Sequence, residues 1–190
     1  MRLFLGVFFS FFLIQNCFSQ INPFSVLGKA VTTSMDARTR AEVTADTEIG
    51  AGASKRLLED RQAEWAGVAV LVFAQHVVLA GAVKSEAVKK RVEEIVKRDA
   101  RVRSLKNELR VGAAASLARD TALEAEINAS LTAAKGVSSV NMRWSATGGQ
   151  VVLMGVAQSQ QEASLAVGKI RGIKGVKAVV SHLRIVAAKK

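Results

Sequence analysis

Cysteine is almost missing: Cys17 is the only one in 190 residues. A lone thiol excludes an intramolecular disulfide, and no C-x-x-C spacing exists to build a cysteine metal site. Histidine is nearly as scarce, with only His76 and His182, and these are too far apart for an H-x-x-x-H zinc pair. The chain has no nucleophile elbow and no phosphate-cradling G-x-x-x-x-G-K. With no catalytic constellation and no cofactor motif, the sequence reads as a binding protein and not as an enzyme. Proline occurs once, at Pro23, while hydrophobic residues make up 49% and charged residues 23%. That composition belongs to a chain that folds, not to a disordered one. Acidic residues are also in short supply: 16 against 27 Lys and Arg, a formal charge of +11. Such a balance favours anionic partners: phospholipid headgroups, cell-wall polymers or nucleic acid.

The apolar run Leu3–Ile14 is too short to span a bilayer comfortably. Behind Arg2 it reads as an export signal, and export removes nucleic acid from the list of partners. Cys17 follows directly, where a bacterial lipoprotein would be cleaved and acylated. The other reading is ordinary signal-peptidase cleavage after Ser19, with Cys17 discarded. Residues 1–17 are therefore expected to be a lipoprotein-type signal. Residues 18–41, with Ser, Thr, Asn, Gly and the only proline, are expected to be a tether.

The rest of the chain repeats. Val77–Gly81 reads V-V-L-A-G and Val151–Gly155 reads V-V-L-M-G, an offset of 155 − 81 = 74. The same offset carries Asp46-Thr47 onto Asp120-Thr121, Leu57 onto Leu131, Ser85 onto Ser159 and Leu109-Arg110 onto Leu183-Arg184. Two copies are too few for a stacked array, so the expectation is two small domains, residues 42–111 and 117–187, joined by a short linker at 112–116. A unit of about 70 residues buries only a marginal core, so the halves are expected to support each other or to contact a membrane.

Periodicity supplies the elements. In the first half a helix capped by Asp46 or Thr47 runs to about Glu59, softened by Gly50 and Gly52. A strand from Ala66 to Phe73 is apolar on both faces, so its Ala69–Leu71–Phe73 face is expected to pack on the other half. Val77–Val83 follows. Ser85 opens a helix with a Val88–Val92–Ile95–Val96 stripe. A strand from Arg101 to Val111 closes the unit, with Leu105, Leu109 and Val111 on one face. In the second half Asp120 or Thr121 is expected to cap a helix, with Glu124 completing a capping box and Leu123, Ile127 and Leu131 facing inward. Met142, Trp144 and Ala146 alternate with Asn141, Arg143, Ser145 and Thr147, which predicts a strand with one wet face. Gly148-Gly149 is a tight hairpin turn. Ser159 and Glu162 are spaced as a second capping box, with Leu165, Ala166 and Ile170 pointing inward. Trp65 and Trp144 read as core or edge aromatics, and His76 and His182 as surface residues. Lys169, Arg171, Lys174 and Lys177 crowd one helix–turn–strand corner, where each cation near anionic lipid adds roughly 1 kcal/mol.

The order helix, hairpin ending in V-x-L-x-G, helix, strand resembles the BON domain, a small α/β module of the bacterial envelope. Two copies behind a signal ending in Cys17 resemble the dual-BON outer-membrane lipoproteins, whose D-x-R-T pattern is matched by Asp36, Arg38 and Thr39, with Asp46 and Ile49 beyond. The resemblance implies an α+β fold of two tandem αββαβ domains, each a three-stranded mixed sheet with two helices on one face. It also implies a periplasm-facing outer-membrane lipoprotein, acylated at Cys17, that binds anionic phospholipid and supports envelope integrity. Other envelope proteins are further candidate partners. The alternative is a soluble periplasmic stress or chaperone-like protein-binding module. The family's lipid contact maps onto Arg119, Asp120, Thr121, Ala122 and Leu123. At Ala122 a bulky aromatic would be expected, and alanine cannot dip into lipid. That shifts the expected contact toward Lys169, Arg171, Lys174 and Lys177.

Overall fold

The computed structural model describes residues 36–60, 66–112 and 116–186. The signal, Cys17, Trp65 and most of the expected tether lie outside them. Each half runs helix, strand, strand, helix, strand. The first comprises α1 (Arg40–Glu59), β1 (Val68–Phe73), β2 (His76–Val83), α2 (Glu86–Lys97), β3 (Ser104–Asn107) and β4 (Arg110–Val111). The second comprises α3 (Leu117–Ala133), β5 (Met142–Thr147), β6 (Gln150–Ala157), α4 (Gln160–Arg171) and β7 (Ala178–Ile185), with a short 3₁₀ turn at Ser139–Asn141. In both sheets the middle strand pairs antiparallel with the hairpin strand before it and parallel with the closing strand. This is the α+β architecture the repeat predicts.

The closing strand of the first half is interrupted. β3 and β4 both pair with β2, at His76↔Ser104 and Ala82↔Arg110, so the register stays the same across the gap at Glu108-Leu109. Leu105 and Leu109 pack into the core as expected. Val111 does not: it is 44% exposed. Leu165 is likewise turned outward on α4, while Ala166 and Ile170 are buried.

The helices begin earlier than the sequence suggests. Thr39 caps α1, its side chain accepting from Glu42 N–H while Glu42 accepts from Thr39 N–H at 2.8 Å. The end of the stretch assigned to a tether is thus built into the fold. Asp46 and Asp120 are not caps; each lies within its helix and points elsewhere. Glu124 completes no capping box either, and accepts instead from Ser145 Oγ and Ala146 N–H, closing the open edge of β5. Ser159 does cap α4, but Glu162 is buried and accepts from Ser138 and Gln158 N–H. Gly50 and Gly52 do not interrupt α1, which buries Ile49, Ala53 and Leu57 against the sheet.

The motif glycine of each half admits no substitute. Gly81 and Gly155, the glycines that end each V-x-L-x-G run, have φ of 118° and 128°. A Cβ there would fall 1.9 Å from Gly67 O and 2.1 Å from Asn141 O. The motif glycine lets the middle strand kink against the start of its hairpin partner.

Each sheet covers one face with its two helices, and the two remaining faces pack on each other. Leu71, Phe73, Val78 and Ala80 from the first half join Val152, Met154 and Val156 from the second in one buried cluster. The second apolar face of β1 therefore meets the other half, as expected. The wet face predicted for β5 is a correction: Asn141 and Ser145 are buried and Arg143 is half-buried, covered by the first half. Trp144 packs against the second half's own core. His182 is not on the open surface either, since its Nε2 lies 2.9 Å from Glu108 Oε1 across the junction. His76 Nδ1 lies 2.6 Å from Ser104 Oγ, and its pKa is lowered by burial, then by the charges of Arg184 and Arg103.

Candidate binding surface

The two hairpin turns are held by equivalent carboxylates. Asp46 accepts from Ala74 N–H at 2.7 Å and Gln75 N–H at 2.6 Å, while Asp120 accepts from Gly148 N–H at 2.9 Å. In the first half Ala74 and Gln75 both take positive φ, 51° and 65°, which ordinary residues resist. The carboxylate facing both amides offsets that resistance. The second half needs less help because Gly148 and Gly149 adopt the turn freely.

Arg38 is tied into the same corner. Its guanidinium donates to both oxygens of Asp36, at 3.0 and 2.7 Å, and to Asp46 at 2.9 Å, and lies 4.6 Å over the Phe73 ring. Ala37 N–H donates to Asn141 Oδ1 at 2.7 Å, so this lead-in segment bridges the halves. Burial alone would raise Asp36, but its bonds to Arg38 prevail and hold it below the ordinary range. Arg143, 5.6 Å over the same ring, donates to the carbonyls of Val140 and Met142. Burial and then the charge of Arg38 push it down to about 10. The groups of this clasp are buried and spend their charges on one another. The D-x-R-T residues and Asp46 thus do structural work.

The open surface lies at the hairpin end of the second half. Asp120 ties the start of α3 to Gly148. On the other side, Lys177 N–H donates to Gly149 O at 2.7 Å, and a Cβ on Gly149 would meet Gly175 O and the Lys177 stem. One hairpin turn therefore brings together the two groups that the sequence left separate, Arg119–Leu123 and the basic corner. Lys169 and Arg171 end α4 and lead into that corner, where they also complement the helix dipole. Arg119, Lys169, Arg171, Lys174 and Lys177 are all exposed. The local acid is turned inward, and burial raises the Asp120 carboxyl against the opposing bond from Gly148. The surface is a set of exposed cations, suited to a field of anions more than to one small molecule.

Within Arg119–Leu123 the structure separates two roles. Thr121 and Ala122 are exposed, but Leu123 is buried in the core and is not available to a partner. The apolar residue that reaches solvent here is Leu117, 51% exposed in the first turn of α3 and one turn before Thr121. The sequence carried a signal for it: six residues before Leu123, it lies about 240° off the Leu123–Ile127–Leu131 stripe on a helix of 3.6 residues per turn. Starting the helix at Asp120 hid that signal. Among the described residues, no cluster of three or more metal-ligating side chains occurs, and no helix is long and apolar enough to cross a membrane.

Comparison with known proteins follows the two halves. The family model described as BON domain matches residues 36–113 and 119–187. The chain is 34% identical over 125 residues to an uncharacterized protein in the gshII 5′ region of Anaplasma centrale, covering 64% of this chain and 83% of that one. Two solved structures of CdsD, a structural protein of the Type III secretion system of Chlamydia trachomatis, align at 16% identity with TM-scores of 0.32 and 0.33. They cover 74% and 73% of this chain and 67% and 63% of their own, at a likeness too distant to bear on function.

Proposed function

This chain belongs to the BON domain family, and from that premise we propose that it is a periplasm-facing outer-membrane lipoprotein, acylated at Cys17, that binds anionic phospholipid and supports envelope integrity. The observation that carries the lipid reading is the hairpin end of the second half. There Leu117 is exposed in the first turn of α3, five cations are exposed on the segments that lead to the same hairpin turn, and the local carboxylate, Asp120, is turned inward. An apolar side chain that dips below the headgroups, ringed by cations that meet phosphate, is the usual chemistry of weak interfacial binding. Each cation near an anionic leaflet contributes roughly 1 kcal/mol, screened by salt. A single acyl modification gives marginal anchoring, so a second contact of this size matters.

The test is co-sedimentation with vesicles of phosphatidylcholine alone and with phosphatidylglycerol added. Binding is expected only to the anionic vesicles, to weaken with salt, and to drop about tenfold in Leu117→Asp, with circular dichroism melting unchanged. Equal binding to both vesicle types would overturn the lipid reading and favour the protein-binding alternative. Intact mass of the membrane-derived protein tests Cys17 separately: an unmodified chain starting near Gln20 in the soluble periplasm would sink the lipoprotein assignment.

A further inference from the structure

The halves differ most where the second helix of each lies over the closing strand. In the first half that seam is filled. Asn107 donates to Lys89 O at 3.2 Å and to Glu93 at 2.9 Å, and its own oxygen accepts from Leu109 N–H at 3.2 Å. At the offset of 74, Lys89, Glu93, Glu94 and Asn107 become Ala163, Val167, Gly168 and Ser181. Glu93 and Asn107, whose side chains fill the seam, are thus replaced by the uncharged Val167 and the shorter Ser181, and a groove of about 430 Å³ opens between α4 and β7. A Cβ on Gly168 would meet nothing within 4 Å.

One wall of this groove is a strand edge. β7 pairs with β6 alone among the described strands. Ala178 N–H donates to Gly149 O and Val186 N–H to Ala157 O, so the even-numbered amides face β6. Alternation then turns the backbone groups of Val179, Ser181, Leu183 and Ile185 outward. Ser181 Oγ approaches Leu183 N–H only at 3.5 Å. Ser181, Leu183 and Ile185 also line the groove. A strand added here would therefore place its inward side chains over the groove.

Charge selects the occupant. The groove lining includes Arg171 and no carboxylate, and Arg184 is exposed on the same strand. A second copy would set these cations against their own kind on a chain of charge +11, which disfavours self-pairing. A peptide that alternates apolar and acidic residues meets every demand: its backbone pairs with β7, its apolar side chains lie over Gly168 on the groove face, and alternation puts its carboxylates on the other face, the side of the exposed Arg184. We infer that the α4–β7 edge of the second half docks an extended acidic-and-apolar peptide segment of a partner protein, added to the sheet beside β7. This site borders the cation surface at Arg171, but it rests on the free edge of β7 and the groove, and so does not depend on lipid binding.

The experiment uses the full chain with a blocked peptide of alternating valine and aspartate, as long as β7, and a twin N-methylated at every second amide so that it cannot pair. Amide exchange followed by NMR is expected to show protection at Ser181, Leu183 and Ile185 with the first peptide, and about tenfold weaker binding for the twin. Gly168→Glu, which puts a carboxylate over the groove at an unobstructed position, is expected to weaken the peptide by a similar factor while leaving the thermal melt unchanged. Equal binding of the twin, or no effect of Gly168→Glu, would overturn the inference. So would protection of these amides by phosphatidylglycerol vesicles in place of the peptide, or by self-association in sedimentation without it.

Discussion

Replacing Asp46 by alanine removes three contacts at once: the two turn amides of Ala74 and Gln75 and one guanidinium arm of Arg38. Hydrogen bonds to a charged acceptor contribute about 1.5–3 kcal/mol each, and stripping one partner from a buried ion pair costs a similar amount or more. The Arg38 side chain is only 5% exposed, so water does not easily replace the lost partner. The contacts share one carboxylate and do not add, so the expected loss is about 4 kcal/mol. Asp120→Ala removes the one bond to Gly148, and a glycine turn relaxes readily, so its expected loss is about 1 kcal/mol. Urea denaturation of the full chain, followed by far-UV circular dichroism, compares the two. A further arm isolates the turn. Placing glycine at both Ala74 and Gln75 in the Asp46→Ala background should recover about 1–2 kcal/mol, because glycine adopts positive φ without the Cβ penalty. Equal losses for Asp46→Ala and Asp120→Ala, or no recovery with the glycine turn, would refute the reasoning.

Gly81→Ala and Gly155→Ala should each destabilise by about 4 kcal/mol or prevent folding, since the new Cβ overlaps backbone carbonyls at 1.9 and 2.1 Å; thermal melts would show it. Gly168→Ala should cost nothing in the same melts. Acid should loosen the clasp. Asp36 has a folded pKa below its ordinary 3.8, so its stabilisation is present above that value and lost as pH falls from 3.8 through the folded value. In urea titrations at successive pH values, Asp36→Asn should be less stable near neutrality and show a flatter decline over that acid window.

Much of the architecture was legible because repetition and periodicity are local properties of the chain. The offset of 74, the V-x-L-x-G hairpins and the double-faced apolar strand at Val68–Phe73 point to paired αββαβ units whose sheets need covering. What was missed depended on distant partners. Asp46 and Asp120 look like caps because aspartate does cap helices, yet each reaches a turn 28 residues away in sequence. Arg143 and Ser145 look solvent-facing because they alternate with apolar residues, yet Arg143 is satisfied by nearby carbonyls and lies over Phe73 from the other half. At the candidate surface the cations were legible as a run in sequence. Leu117 was not, since its exposure depends on where α3 begins, and the joining of Arg119 to the basic corner depends on the Gly148–Gly149 turn.

The stacked sheet faces have the form of a symmetric dimer made from one chain. Val78 and Val152, and Ala80 and Met154, are pairs related by the repeat that share the one buried cluster at the junction, and Glu108 and His182, a third such pair, meet there directly. Two identical halves would have to set like against like: glutamate beside glutamate, or methionine beside methionine. In a single chain each half can change alone, so a glutamate meets a histidine, and one sheet carries alanine where the other carries methionine. The cations over Phe73 arise the same way, because Thr147 occupies the equivalent position in the second half and offers no ring. Joining the copies through a few residues keeps their local concentration high. The junction can therefore lose its symmetry without losing its partner, and one half can specialise in holding the pair together while the other turns its edges outward.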